Sequence, residues 1–393
     1  MIWFEKIISK KIFVMERKIN KLDSIQFLRG IAVLLVIAFH FRVYLNGVYA
    51  QKDLGDVLFR IGEVGVDIFF VISGFIITYS SINKDRNKPL EFAIKRFFRL
   101  YPVYFIVLTL VIALNYGAIY TISQIIKSYM LIPIDYNFIG PWSGYSIIIP
   151  AWTLTYEIWF YTVFCISLCI SHKYRTVISS FILITICILG QLYFHGNIFL
   201  NPVTQPPFGD GIIRNLVFVS NPISYDFILG MIAAEAYINV PFDFLNKITV
   251  VQFLNITALF AFLLLCLGLK MGPGIVAWGG YSFMIVAPLV LISKCRDVYC
   301  NKALTYVGEI SYSLYINHMV VYSLAVVYLK PFGILDSKGF GVFLALICAT
   351  FIVSIISYNF IEKPFVAIGH AIARKVQNKP YSLPVKSEPI RKP

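Results

Sequence analysis

Arg29 and His40 stand eleven residues apart inside one apolar stretch, QFLRGIAVLLVIAFHF at residues 26–41. A neutral imidazole is a base and a nucleophile near neutral pH, and a guanidinium grips phosphate or carboxylate with two parallel hydrogen bonds. A charged side chain at the middle of a bilayer helix costs roughly 2.5–3.5 kcal/mol on insertion scales, so such residues usually face a protein interior and mark function. At about 100° per residue the spacing returns to within about 20° of the same face, with a rise of about 16 Å. One stripe of one helix would therefore present a cation near its start and an imidazole three turns deeper. The alternative is that Arg29 snorkels to lipid headgroups and His40 is a hydrogen-bonded packing residue.

Further residues of the same kind follow along the chain. Asp67, in VGVDIFFVISGF, is expected at about the level His40 reaches, where a carboxylate can orient an imidazole and stabilise its protonated form. Glu157, in AWTLTYEIWFY, lies inside another apolar run and is hard to explain as lipid-facing. Trp152 and Tyr156 beside it can stack on a sugar, although aromatic belts at membrane interfaces are the ordinary explanation. Arg96 and Arg99, in KRFFRLYP, share one helix face at i, i+3 and suit bidentate phosphate recognition, with Lys84, Arg86, Lys88 and Lys95 around them. A stop-transfer cluster explains them equally well. His318 falls on a polar stripe with Tyr315 and Tyr322, where it is either a site residue or a packed one.

The elements that must position these residues are transmembrane helices. The chain has 393 residues, 59% hydrophobic and only 14% charged, with a mean hydropathy of +0.77; soluble domains run nearer a quarter charged. Ten apolar runs of about 20 residues, the length a hydrocarbon core requires, are predicted at 25–45, 64–82, 99–119, 146–170, 175–194, 223–239, 249–269, 273–293, 309–329 and 340–361. The expected fold is an all-α polytopic bundle of about ten transmembrane helices. Of the 34 Lys and Arg, 25 fall on one side of that arrangement and 7 on the other, so the positive-inside rule places both termini in the cytoplasm.

That distribution turns the net charge of +14 into a topology signal, plus attraction to anionic lipid or an anionic cosubstrate, and away from nucleic acid. The seven cysteines form no C-x-x-C and no Cys/His metal spacing, so neither a disulfide framework nor a metal site is expected. No cleavable signal peptide is expected either, since the first apolar run contains Arg29 and no small-residue cleavage site follows it. The organisation reads as a basic amphipathic segment at 1–24, a membrane domain at 25–365, and a basic tail at 366–393 expected to be disordered.

Five stretches in order, LDSIQFLRGIAVLLVIAFH, VGVDIFFVISGFIIT, KRFFRLYP, AWTLTYEIWFY and ISYSLYINH, resemble the membrane acyltransferase family 3 over roughly residues 22–365. Many members carry Trp-Ser-Leu where this chain has Trp152-Thr153-Leu154. The resemblance implies transfer of an acyl group, commonly acetyl, from a cytoplasmic acyl-coenzyme A to a hydroxyl of a carbohydrate such as O-antigen, peptidoglycan or exopolysaccharide. It implies a bacterial cytoplasmic-membrane enzyme with no permanently bound cofactor. His40 would then be the base or a transient acyl acceptor, with Asp67 or Glu157 orienting it. Arg29, Arg96 and Arg99 would hold the donor, and Trp152, Tyr156 and His318 would meet substrate. A transporter of polysaccharide or lipid-linked sugar is the competing class, because ionisable residues within membrane spans also mark transport pathways. A non-catalytic sensor is a third. Coenzyme A binding that depends on Arg96 and Arg99 separates the enzyme from both.

Overall fold

The computed structural model describes residues 22–82, 88–114, 120–134, 139–142, 146–204 and 212–377. The amphipathic reading of 1–21, the lysine and arginine at 84 and 86, and the tail beyond 377 lie outside them. Eleven long helices carry the architecture of the described residues: α1 (Asp23–Phe41), α2 (Val64–Ser80), α3 (Pro89–Leu114), α4 (Trp152–Ile170), α5 (Arg175–His195), α6 (Ser224–Asn239), α7 (Ile248–Cys266), α8 (Trp278–Cys295), α9 (Ser311–Leu324), α10 (Gly339–Ser357) and α11 (Lys363–Gln377). Nine helical segments among the described residues are long and apolar enough to cross a membrane. The pair Ile213–Ser220 and Ser224–Asn239, bent by 47°, makes a tenth if it is one span. The protein is a polytopic helical membrane protein.

Inside a bilayer, apolar burial alone does not hold helices together, so close packing and hydrogen bonds must. The α2–α6 crossing shows how the sequence achieves it. A Cβ on Gly74 would sit 2.1 Å from the carbonyl oxygen of Phe227, and one on Gly230 would sit 1.9 Å from that of Val71. The two backbones touch because each offers a glycine to the other. Asp67 finishes the same corner: fully buried, it accepts a 2.7 Å hydrogen bond from the Gly274 amide ahead of α8 and lies against the carboxyl of Asp226 at the start of α6.

Two departures from the sequence expectation affect the site. The third span begins at Pro89 rather than 99, so Arg96 and Arg99 stand within α3 instead of at its entry. The tail expected to be disordered from 366 is helical to Gln377. A π-helical turn at Tyr358–Glu362 links α10 to it, and it packs on α3. Its basic composition suggested a solvated tail, but Phe365, Val366 and Ala373 recur at helical spacing, and Ala373 is fully buried.

Candidate active site

A cavity of about 580 Å³ opens between α1, α2, α3, α4, α9 and α11. Among the described residues, Arg29, Lys95, Arg96 and Arg99 line it together with one carboxylate, Glu157. The helix α4 gives the cavity its scale. Tyr161, Glu157 and Thr153 each face it one turn apart, so Tyr161 and Thr153 are separated by about 12 Å along the helix axis.

At the Tyr161 level the Arg96 guanidinium lies over the rings of Phe92 and Tyr161, 5.4 Å from each centroid, and donates to the Ser80 hydroxyl at 3.2 Å. Glu157 accepts from Tyr161 and, at 3.1 Å, from Ser73. Arg29 is buried and donates to the Ser311 hydroxyl at 2.8 Å, with the charges of Arg99 and Glu362 close by. Glu362, at the end of the π-helical turn, is itself buried and accepts from Ser313 at 2.6 Å. The buried arginine thus faces a protein interior, as its cost in lipid requires.

At the Thr153 level the hydroxyl of Tyr315 is held by the Thr153 hydroxyl at 2.9 Å and the Pro150 carbonyl at 3.0 Å. Its ring packs edge-on against Phe69, 6.0 Å between centroids. Val66, one turn nearer the start of α2 than Phe69, lines the cavity too, whereas neither His40 nor His318 does. Behind Tyr315, with ring centroids 6.1 Å apart, is His318 of α9, and His40 of α1 lies 4.8 Å from His318. Two contacts therefore join α1 to α9 in the same order along both helices, Arg29 to Ser311 and His40 to His318. That is the single stripe predicted from the eleven-residue spacing.

The protonation pattern of His40 follows from one hydrogen bond. Its Nδ1 lies 2.8 Å from the carbonyl oxygen of Val36. A carbonyl only accepts, so Nδ1 carries the proton and Nε2 presents the lone pair. The expectation that Asp67 or Glu157 orients His40 is corrected here: the orienting group is the backbone of its own helix, one turn back. Asp67 is engaged with Gly274 and Asp226, and Glu157 with Ser73 and Tyr161. His318 is completely buried. Neither of its ring nitrogens reaches a partner with hydrogen-bonding geometry, although the carbonyls of Leu314 and Tyr315 lie beside it.

Trp152 and Tyr156 stand behind the cavity wall, packed edge-on against Phe70 with centroids 6.3 and 6.2 Å away. Tyr156 donates to the Pro141 carbonyl at 3.2 Å. Sequence reasoning noted Tyr315 beside His318 but overlooked Ser73, Ser311 and Glu362 as site residues. Tyr161, four residues after Glu157 on the same helix face, is its hydrogen-bond partner. The serine and tyrosine repeat of ISYSLY signalled a polar stripe on α9.

Comparison with known proteins supplies the family. Residues 22–359 match the family described as acyltransferase domain, and the chain belongs to that family. It is an integral-membrane acyltransferase. Similar proteins include the exopolysaccharide production protein ExoZ of Rhizobium meliloti, 26% identical across 80% of this chain and 92% of that protein. The peptidoglycan O-acetyltransferase OatA of Listeria monocytogenes is 23% identical across 87% of this chain, which spans about half of OatA, 55% of its length. No solved structure matches significantly.

Proposed function

We propose that this protein moves an acyl group, acetyl in the first instance, from acyl-coenzyme A to a hydroxyl of a cell-surface or lipid-linked carbohydrate. The observation that carries the reading is the cation-lined cavity whose far wall is backed by the His318–His40 pair. The phosphates of the donor suit Arg96, Arg99 and Arg29, since guanidinium groups bind phosphate oxygens through paired charge-assisted bonds. The pantetheine arm is long enough to cover the two helical turns from Tyr161 to Thr153 and bring the thioester to Tyr315.

Nε2 of His40 then supplies the base. It takes the proton of the acceptor hydroxyl as the oxygen attacks the thioester carbonyl. The tetrahedral intermediate collapses, the C–S bond breaks, and the departing thiolate regains a proton from the imidazolium. The same lone pair can instead attack the thioester first, giving an acyl-imidazole that the hydroxyl cleaves. Either route requires side chains between Tyr315 and His40 to move, because neither His40 nor His318 lines the cavity as it stands. The charge distribution of the chain supports a cytoplasmic donor side, and the bacterial origin of the similar proteins supports a location in a bacterial cytoplasmic membrane. The names of ExoZ and OatA, an exopolysaccharide protein and a peptidoglycan O-acetyltransferase, support a polymeric sugar acceptor.

The test uses purified protein in lipid nanodiscs with radiolabelled acetyl-coenzyme A. His40→Ala is expected to bind donor normally and to lose transfer and slow hydrolysis by about 10²–10⁴-fold, the usual contribution of a positioned acid–base group. Arg96→Ala/Arg99→Ala is expected to lose binding. Label surviving denaturation of the wild type would select the acyl-imidazole route. Full transfer by His40→Ala would remove His40 from the mechanism. A folded wild type without coenzyme A affinity would leave the chain an acyltransferase with another donor.

A further inference from the structure

The helix α11 begins beyond residue 359, where the family match ends, yet it forms part of the cavity. Its Val366 and His370 line the opening alongside Lys95, Arg96 and Arg99 of α3. Contact between the two helices is intimate. A Cβ on Gly369 would stand 2.5 Å from the Cβ of Phe98, so only a glycine lets α11 lie this close to α3. Buried Ala373 and buried Glu362 hold the helix on either side of that contact.

The electrostatics of this face need an explanation. Lys95, Arg96, Arg99 and Arg374 all lie near enough to His370 to act on its ring. Arg374 follows His370 by one turn and so shares its face. Cations presented by two facing helices repel one another, and the buried Glu362 beside Arg99 offsets only part of that repulsion. A ligand with several phosphate charges removes the repulsion and would be held from both sides.

We propose that α11 is one jaw of the donor site, with His370 and Arg374 gripping the phosphates of the acyl–nucleotide thioester from the side opposite Arg96 and Arg99. This rests on the donor reading given above. Phosphates of anionic lipid headgroups have the same chemistry, so the experiment must separate the two sources. Coenzyme A affinity is measured by calorimetry in nanodiscs of zwitterionic phosphatidylcholine for wild type, Arg96→Ala/Arg99→Ala and His370→Ala/Arg374→Ala. The last variant is expected to bind about ten-fold or more weakly, the effect of losing charge-assisted hydrogen bonds. In the unmodified protein, coenzyme A is expected to slow amide hydrogen exchange across residues 363–377. Wild-type affinity in His370→Ala/Arg374→Ala, together with loss of binding in Arg96→Ala/Arg99→Ala, would overturn the jaw and leave the donor reading standing. Unchanged exchange at 363–377 on saturation with coenzyme A would also overturn it. A folded wild type that binds no coenzyme A would overturn both. If the variant released phosphatidylglycerol from mixed discs while keeping its coenzyme A affinity, the cluster would be a lipid site and the jaw would again be wrong.

Discussion

His40 and His318, carried by α1 and α9, hold their rings 4.8 Å apart and tilted by 53° to one another. Val36 occupies Nδ1 of His40, so the imidazole has one free nitrogen, and the neighbour within reach of that ring is a second imidazole sealed from solvent. No hydrogen bond joins the two rings, so His318 is expected to act by positioning His40. His318→Phe keeps the ring volume and deletes both nitrogens. It is expected to lower kcat by less than the roughly 10²–10⁴-fold of the His40 variant, to leave the donor KM in place, and to change the pH profile of kcat. A variant slower at every pH by one factor, with an unaltered profile, would mean that His318 only packs.

Tyr315 is pinned through its hydroxyl by Thr153 and Pro150, which leaves Phe69 the less constrained ring of the pair. Phe69→Ala removes the ring that faces Tyr315. Butyryl-coenzyme A is expected to improve as a donor relative to acetyl-coenzyme A, and hydrolysis without acceptor to rise as water gains entry. A selectivity ratio equal to that of wild type would place the acyl group elsewhere.

Asp67 is expected to matter for stability rather than chemistry. Asp67→Ala strands the buried Gly274 amide, which costs about 1–3 kcal/mol for the unsatisfied donor. Thermal unfolding in detergent should shift down while coenzyme A affinity holds. Loss of turnover with an unchanged melting temperature would return Asp67 to the neighbourhood of His40.

Gly230→Val tests the α2–α6 crossing. With 1.9 Å between its Cβ and the Val71 carbonyl oxygen, the helices must separate, and overpacking of this kind typically costs about 1–3 kcal/mol or more. A lowered melting temperature is the expected result; a variant as stable as wild type would show that the crossing is loose.

How much of this was legible in the sequence depends on the range of the interaction. The Arg29–His40 stripe and the pairing of Arg96 with Arg99 follow from spacing within one helix, the half-buried setting of Glu157 from the apolar run around it, and the structure places Arg29 and His40 against the same neighbouring helix. What needs two distant segments was invisible. Nothing in VGVDIFF announces that Asp67 will meet an amide 207 residues later. The Val36 carbonyl was overlooked for a different reason: backbone acceptors carry no side-chain signature, so a carboxylate was the natural candidate. α11 was misjudged because lysines and arginines count toward disorder in a composition, although a helix packed on one face tolerates them on the other.

The Phe69–Tyr315 contact also bears on the membrane as an electrical insulator. A protein that hands a chemical group from a cavity at one level to a histidine at another risks leaving a water-filled wire between them, along which protons would run down the membrane potential. The Phe69 and Tyr315 rings, in edge contact on the cavity lining, narrow any such path with aromatic surface. Vesicles loaded with the wild-type protein should therefore hold a proton gradient that Phe69→Ala vesicles dissipate.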